Sequence, residues 1–334
     1  MAIAEERLGQ EIWSDLQSNV QERIHGAILM LSEREKQIAL TDLARMVATP
    51  NQYSVAERVS VGKALSFLGD PRIHSREPKM ARIPAGAFTM GTASDSVDQI
   101  LEGAPAGTED DGDSHRTQRG ALLMETPARS VELPTFFIGR YLVTNMEFRS
   151  FVLAGGAPPR DYWDGTTVDP WILNQPVRDV NWEEAVGYCD WLAGETGNAY
   201  RLPTEEEWEK AARGTDGRVF PWGETFYYTC GNVWEGGVAA PTPVGVYPDG
   251  TSPYGVLDMA GNVAEWTASF IGNYPESEGG DVIASQVAEY GRYRVVRGGC
   301  WQDPTQFSRC ASRGSPERRD PQAIGFRVAL DAKN

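Results

Sequence analysis

Apolar residues recur about one helical turn apart through the first part of the chain. Leu8, Ile12, Leu16, Val20 and Ile24 form one series, and Leu40, Leu43 and Val47 another. Pro50 breaks the pattern, Val55, Val59, Leu65 and Leu68 resume it, and Gly69-Asp70-Pro71 stops it. This predicts a small helical module over residues 1–75. From Met80 the period changes: ARIPAGAFTMG alternates small and apolar residues and ends at Gly91, as a strand entering a turn would, and Val131–Thr144 is again strand-like. Three capping boxes follow. Thr144 precedes Glu147, Asn181 precedes Glu184 and Thr204 precedes Glu207, each by three residues and each before apolar positions at helical spacing. They predict two main helices, 145–154 and 181–195, and a short third at 205–213. Beyond Phe220-Pro221-Trp222-Gly223 the periodicity fades into Gly, Pro, Asn and aromatic residues, leaving Arg294–Arg297 and Gly325–Leu330 as brief strands.

Composition sharpens this picture. Ten tryptophans and a 41% hydrophobic content indicate an ordered chain, so the loop-rich half needs internal fasteners. Arg309, Arg313, Arg318, Arg319 and Arg327 are available to pair with the acidic excess. The net charge of -16 argues against nucleic-acid and anionic-membrane partners, whose phosphates it would repel. Residues 92–128 hold Asp95, Asp98, Glu102, Glu109, Asp110, Asp111 and Asp113 before the first Arg at 116, and are expected as a solvated, mobile acidic insertion. Neither a membrane-length apolar run nor a secretory leader pattern is legible. Cys189, Cys230, Cys300 and Cys310 are too few and too unevenly spaced for a secreted disulfide framework, so a cytoplasmic location is expected.

The stretch Tyr254–Trp266, YGVLDMAGNVAEW, carries the most chemistry for its length. No helical or strand period runs through it, which predicts an ordered loop. Asp258 and Glu265 supply side-chain oxygens, and the tight backbone at Gly261 can turn carbonyls toward the same point. Such an oxygen set suits a hard cation, calcium before magnesium, with Trp266 anchoring the loop to a core.

The ordered series RIPAGAFTMG, YLVTNMEFRSFV, PVRDVNWEEAVGYCDWL, YRLPTEEEWEKAARG, FPWG, YGVLDMAGNVAEW, VVRGGCW and IGFRVAL resembles the formylglycine-generating enzyme (sulfatase-modifying factor) family. The resemblance covers roughly residues 80–331 and implies an α+β, C-type-lectin-like, loop-rich domain with a small antiparallel sheet and two main helices. It implies calcium held by Asp258 and Glu265 side chains with the Gly261 and Val263 carbonyls, and a weaker second site at Asn232 and the Val233 carbonyl. The family's oxidases hold copper with two cysteines just after the Gly-Gly-Ser turn. Here the corresponding positions are Asp303 and the region of Thr305–Phe307, while Cys300 takes the serine position of that turn. Cu(I) wants soft thiolates, so copper is not expected. The resemblance further implies a pocket of Cys300, Trp301 and Asp303, with the thiol at its mouth. It also implies that the family's disulfide partners of Cys189 and Cys310 are replaced, by Val328 and Ala212. A related branch, the sulfoxide synthases of thiol-histidine biosynthesis, uses a histidine cluster; His25, His74 and His115 lack such spacing.

The reading that follows is a non-catalytic formylglycine-generating-enzyme-like protein, a protein- or ligand-binding module. Such a module serves either as a regulatory or effector component or as a retroelement-diversified display protein varied over 294–324. A protein partner would engage residues 1–75 or the pocket face. The alternative is a divergent oxidase acting on a protein cysteine.

Overall fold

The structure is a computed structural model, and it describes residues 5, 8–18, 20–102, 119–272, 291–318 and 320–333. Among the described residues, the first part of the chain holds the helices α1 (Gln10–Leu16), α2 (Gln21–Met30), α3 (Glu33–Ala48) and α4 (Val55–Leu68). Ser32 and Ser54 cap α3 and α4 with complete capping boxes to Glu35 and Glu57. At the other end of α4, Gly69 takes φ +88, where a side chain would be strained. The apolar series point into one core of Trp13, Leu16, Ile24, Leu43, Val47 and Leu65.

That core is not self-contained. Val246 and Tyr247, far along the chain, are fully buried within it. Arg58 pairs with Asp249 at 3.2 Å, and the Asn174 side chain donates to Asp70 at 2.9 Å. The module is packed on the main domain, whose residues occupy its inner face.

Next come β1 (Met80–Ile83), β2 (Gly86–Met90), a short helix α5 (Val97–Glu102), β3 (Arg129–Leu133) and β4 (Phe136–Gly139). The acidic segment 92–128 departs from expectation at both ends. Val97, Leu101, Leu122 and Met124 are buried, so apolar residues spaced between the acids fold its flanks onto the domain. Its centre, 103–118, lies outside the described residues.

The three boxed helices form where the spacing places them: α6 (Asn145–Leu153), α7 (Trp182–Thr196) and α8 (Glu205–Arg213). In each, the cap oxygen accepts the amide three residues on, and the Glu there accepts the cap's own amide. The strands β5 (Tyr200–Arg201), β6 (Ala264–Phe270), β7 (Arg294–Arg297), β8 (Ile324–Gly325) and β9 (Ala329–Asp331) complete the described elements.

Among the described residues the strands form a four-stranded antiparallel sheet in the order β1-β4-β9-β5, a two-stranded antiparallel sheet β2-β3 and a three-stranded sheet β7-β6-β8. In the last of these β6 runs parallel to β8. Two expectations are corrected here. The loop at 254–266 becomes strand from Ala264 onward, and the single strand at 325–330 is split in two. Between its halves, the carbonyls of Phe326 and Val328 accept from Val143 and Gly139, and Arg327 turns inward. Tertiary partners there outcompete a continuous ladder. The main core gathers between α6, α7 and these sheets, with Phe148 stacked on Tyr188 at 5.7 Å and Phe326 edge-on to both.

The α6 cap yields a pH prediction. Glu147 is 7% exposed and accepts from the Thr144 amide and hydroxyl at 2.8 and 2.7 Å. Burial pushes its carboxyl up to about 7, against the lowering effect of those two bonds. A folded-state value above the unfolded one favours the protonated acid, so this stability is present below the ordinary carboxylate range and lost as pH rises toward 7. The stability advantage of the wild type over Glu147→Gln should therefore fall between about pH 4.5 and 7, by up to about 1.4 kcal/mol per pH unit. Urea unfolding across that range measures it; a pH-independent difference would refute the buried-acid account.

Candidate functional site

The loop that carries the candidate cation ligands is folded by close backbone approaches. Gly261 lies at φ +86, and a Cβ there would sit 2.1 Å from the Asn232 carbonyl oxygen, so only glycine fits. The Gly261 amide donates to the Gly298 carbonyl at 2.7 Å, and the Asn262 amide donates to that of Asn232 at 2.8 Å. The Asn262 carbonyl in turn accepts from the Trp301 amide. Loops 231–233, 258–263 and 298–303 are thereby pinned together. Asn232 and Val233, Asp258 to Glu265, and Cys300 to Asp303 thus come from three places in the chain to one.

Asp258 occupies the left-handed region at φ +58 and is buried. Its Oδ2 accepts from the Gly245 amide at 2.7 Å, whereas its Oδ1 is buried with no partner among the described residues. Burial pushes its carboxyl up to about 6, opposed by the Gly245 amide and then by Arg327 and Arg72. Asn232 shows the same asymmetry: its Nδ2 donates to the Ala240 carbonyl at 2.8 Å, and its Oδ1 is buried and unpartnered among the described residues. Two orphaned hard oxygens in these loops match the donor chemistry of calcium.

Glu265 is different. Both of its oxygens are taken by the Arg327 guanidinium, at 2.6 and 2.8 Å, with both side chains fully buried. Arg327 also donates to the carbonyls of Gly139, Leu257 and Asp258. Arginine thus already balances one of the two carboxylates assigned to a cation. Of the side chains assigned to that cation, only Asp258 keeps an unpartnered oxygen, and the Asn232 oxygen belongs to the weaker second site. Among the described residues no group of three or more His, Cys, Asp or Glu could hold a metal. Gly261 and Val263, whose carbonyls the resemblance assigns to the same cation, are both buried.

The Gly-Gly-Cys-Trp turn is equally tight. Gly299 sits at φ +69, where a Cβ would meet Ser308 Oγ at 2.6 Å. The Cys300 amide donates to Asp303 Oδ2 at 2.9 Å, and the Asp303 amide returns to the Cys300 carbonyl at 3.0 Å. This aspartate closes a turn through its own side chain. The Trp234 amide donates to the Asp303 carbonyl, and Glu235 accepts the Thr305 amide with both oxygens. Cys300 is only 2% exposed and belongs to the main core with Val263, Val296 and Trp301. The thiol therefore lies inside the core, as a small buried cysteine in the serine position would, and not at the mouth of a pocket. Cys310 belongs to another core, around Trp208 and Ala212, and burial pushes its thiol up to about 12. Burial likewise raises Cys189 and Cys230, and none of the four cysteines is in a disulfide.

A small cleft opens between the acidic segment and the residues after Asp303. Ile100, Leu101, Leu122 and Phe307 line it, together with the Glu125–Arg309 pair at 2.8 and 3.0 Å. Reading 92–128 as solvated hid this feature from the sequence. The alternation of Ile100, Leu101, Leu122 and Leu123 with the acids was the available signal.

A family description, the sulfatase-modifying factor enzyme 1-like domain, matches residues 68–332. The chain belongs to this family. Among relatives of the sulfatase-modifying factor kind, the mouse protein named inactive C-alpha-formylglycine-generating enzyme 2 is 30% identical over 80% of this chain and 92% of its own. Serine/threonine-protein kinase pkn1 of Chlamydia caviae is 33% identical over 63% of this chain, which spans only 35% of that protein. Of solved structures, PvdO from Pseudomonas aeruginosa superposes with a TM-score of 0.55 at 26% identity, covering 77% of this chain and 95% of its own. These matches agree with the α+β, formylglycine-generating-enzyme-like architecture described above.

Arg327→Met should leave the Glu265 carboxylate buried and uncompensated, costing about 3–5 kcal/mol in urea unfolding. Adding Glu265→Leu to that variant should recover part of the loss, since neither partner is then stranded. Equal destabilisation by the single and double variants would show that the pair is not coupled.

Proposed function

We propose that this chain is a non-catalytic member of its family, a module that binds a protein partner or small ligand and carries calcium as a structural cation. One observation carries the reading: the side chain at the first copper position is Asp303, and its carboxylate is committed to the Cys300 amide. The two cysteines left in this part of the chain sit in separate cores, and burial pushes the Cys310 thiol up, away from the copper-binding thiolate. The donor set does not fit Cu(I), and no oxidation step is derived through it. Support for calcium is the pair of unpartnered buried oxygens on Asp258 and Asn232. Buried cysteines outside any disulfide suit a reducing cytoplasm. The cleft beside Phe307 and Arg309 offers an apolar wall with an already neutralised ion pair beneath it, which favours an uncharged apolar group over an ion.

Two measurements test these readings. Copper titration with a cysteine-containing sulfatase peptide under oxygen should give no aldehyde from the wild type or from Cys300→Ser, both folded. Peptide oxidation by the wild type that disappears in Cys300→Ser would overturn the non-catalytic reading. Separately, EGTA should lower the melting temperature and calcium restore it, because a ligand specific to the folded state must stabilise it. An unchanged melting curve, with no heat of calcium binding, would remove the cation.

A further inference from the structure

The segment 240–249 has few internal main-chain bonds, and its shape is set by what it touches. At its start it lies on the candidate cation loops. The Ala240 carbonyl accepts from Asn232 Nδ2 at 2.8 Å, and Thr242 exchanges bonds with the Asn262 side chain, its amide donating at 2.9 Å and its carbonyl accepting at 3.2 Å. At its middle the Gly245 amide donates to Asp258 Oδ2. At its end it enters the helical module. Val246 and Tyr247 are buried in the module's core, and Asp249 Oδ2 accepts from Arg58 Nη1 at 3.2 Å and the Asn51 amide at 3.5 Å.

The fit against α4 leaves no slack. A Cβ on Gly62 of α4 would lie 2.7 Å from Pro243 Cβ and 3.1 Å from Val246 Cγ1. Gly245 itself is at φ +71, and a Cβ there would meet Tyr141 at 2.7 Å and Arg72 Nη1 at 3.1 Å. Val244 adds a bond from its amide to the Asn174 carbonyl, while the Asn174 amide and side chain reach Ser66 and Asp70 at the end of the module. A displacement at Asp258 is therefore handed on to α4, because interlocked packing of this kind does not deform gradually.

We propose that segment 240–249 is a strap that couples cation binding at Asp258 to the docking of the helical module, an inference that rests on the calcium reading above. A cation on Asp258 Oδ1 fixes the rotamer whose Oδ2 holds the Gly245 amide. Without it, the orphaned Oδ1 favours rotation toward any other donor or toward water, and that rotation releases Gly245. The strap then loosens, and α4 loses both the apolar plug of Val246 and Tyr247 and the Asp249 partner of Arg58. Linkage requires the reverse as well: weakening the strap at its module end must weaken cation binding by the factor the cation contributes to docking.

The test uses hydrogen exchange of the full chain in EGTA and in calcium, with calorimetric binding on the same samples. Calcium should slow exchange in 243–249 and in 55–68 together, by about tenfold. The effect should vanish in Asp258→Asn. Asp249→Asn, at the far end of the strap, should weaken calcium binding while leaving protection of 182–196 at its wild-type level. It also serves as the decisive variant if Asp258→Asn does not fold. Calcium binding with heat but unchanged exchange at 55–68, or full calcium affinity in Asp249→Asn, would overturn the coupling and leave the calcium reading standing. No heat and no change in exchange would remove both.

Discussion

Buried guanidinium groups hold the loop-rich half of this protein. An irregular backbone leaves carbonyls pointing inward with no ladder or helix to satisfy them, and a guanidinium can donate five N–H bonds in one plane. Arg297 shows the device most fully. It is 0% exposed, pairs with Glu205 and Glu209 of α8, and donates to the carbonyls of Cys310 and Ser312. Arg213 joins Glu209 to the carbonyls of Thr89, Gly91, Gly217 and Arg218, and Arg313 joins Glu205 to those of Met124 and Gly272. One short helix thus organises charges that tie together segments far apart in the chain. Such networks are costly to break at one member, because the remaining charge is stranded in a low-dielectric interior.

This construction makes the scaffold independent of the side chains at the turn. The turn at Gly298–Asp303 keeps its shape through glycine geometry, the Asp303 side chain and the braces from Trp234 and Glu235. None of these needs a thiolate pair, so the soft ligands of a copper site can be absent without loosening the fold. Cys300 then serves as volume in the core. The candidate cation loop is built on the opposite logic, with an aspartate oxygen and an amide oxygen buried and unpartnered in well-packed surroundings. Orphaned oxygens carry a free-energy cost that a bound cation would relieve.

Much was legible along the chain. Helices α6, α7 and α8 announced themselves by cap and acid three residues apart, since that local bond pair forms whatever the helix later packs against. The strand Arg294–Arg297 stood out by its β-branched pair, and the ordered motifs carried the architecture. What the residue order could not carry was which charges would be buried. Glu205, Glu207, Glu209, Lys210 and Arg213 of the short helix are all buried. Their partners lie on β2, on segment 82–91 and on the carboxy-terminal loops, and spacing along the chain says nothing about such distances.

The same reason governs the site. Sequence by itself determined the family architecture, the helix positions, the oxygen-rich character of 254–266 and the missing copper thiolates, because each is a property of residue type at a local spacing. Only the tertiary structure decided that Arg327 would claim Glu265, that Cys300 would face the core, and that Val246 and Tyr247 would complete the core of a module nearly two hundred residues earlier. It alone also left Oδ1 of Asp258 without a partner. Hydrogen-bond partnership and burial are properties of three-dimensional neighbours, and in a domain built largely of ordered loop those neighbours come from everywhere in the chain.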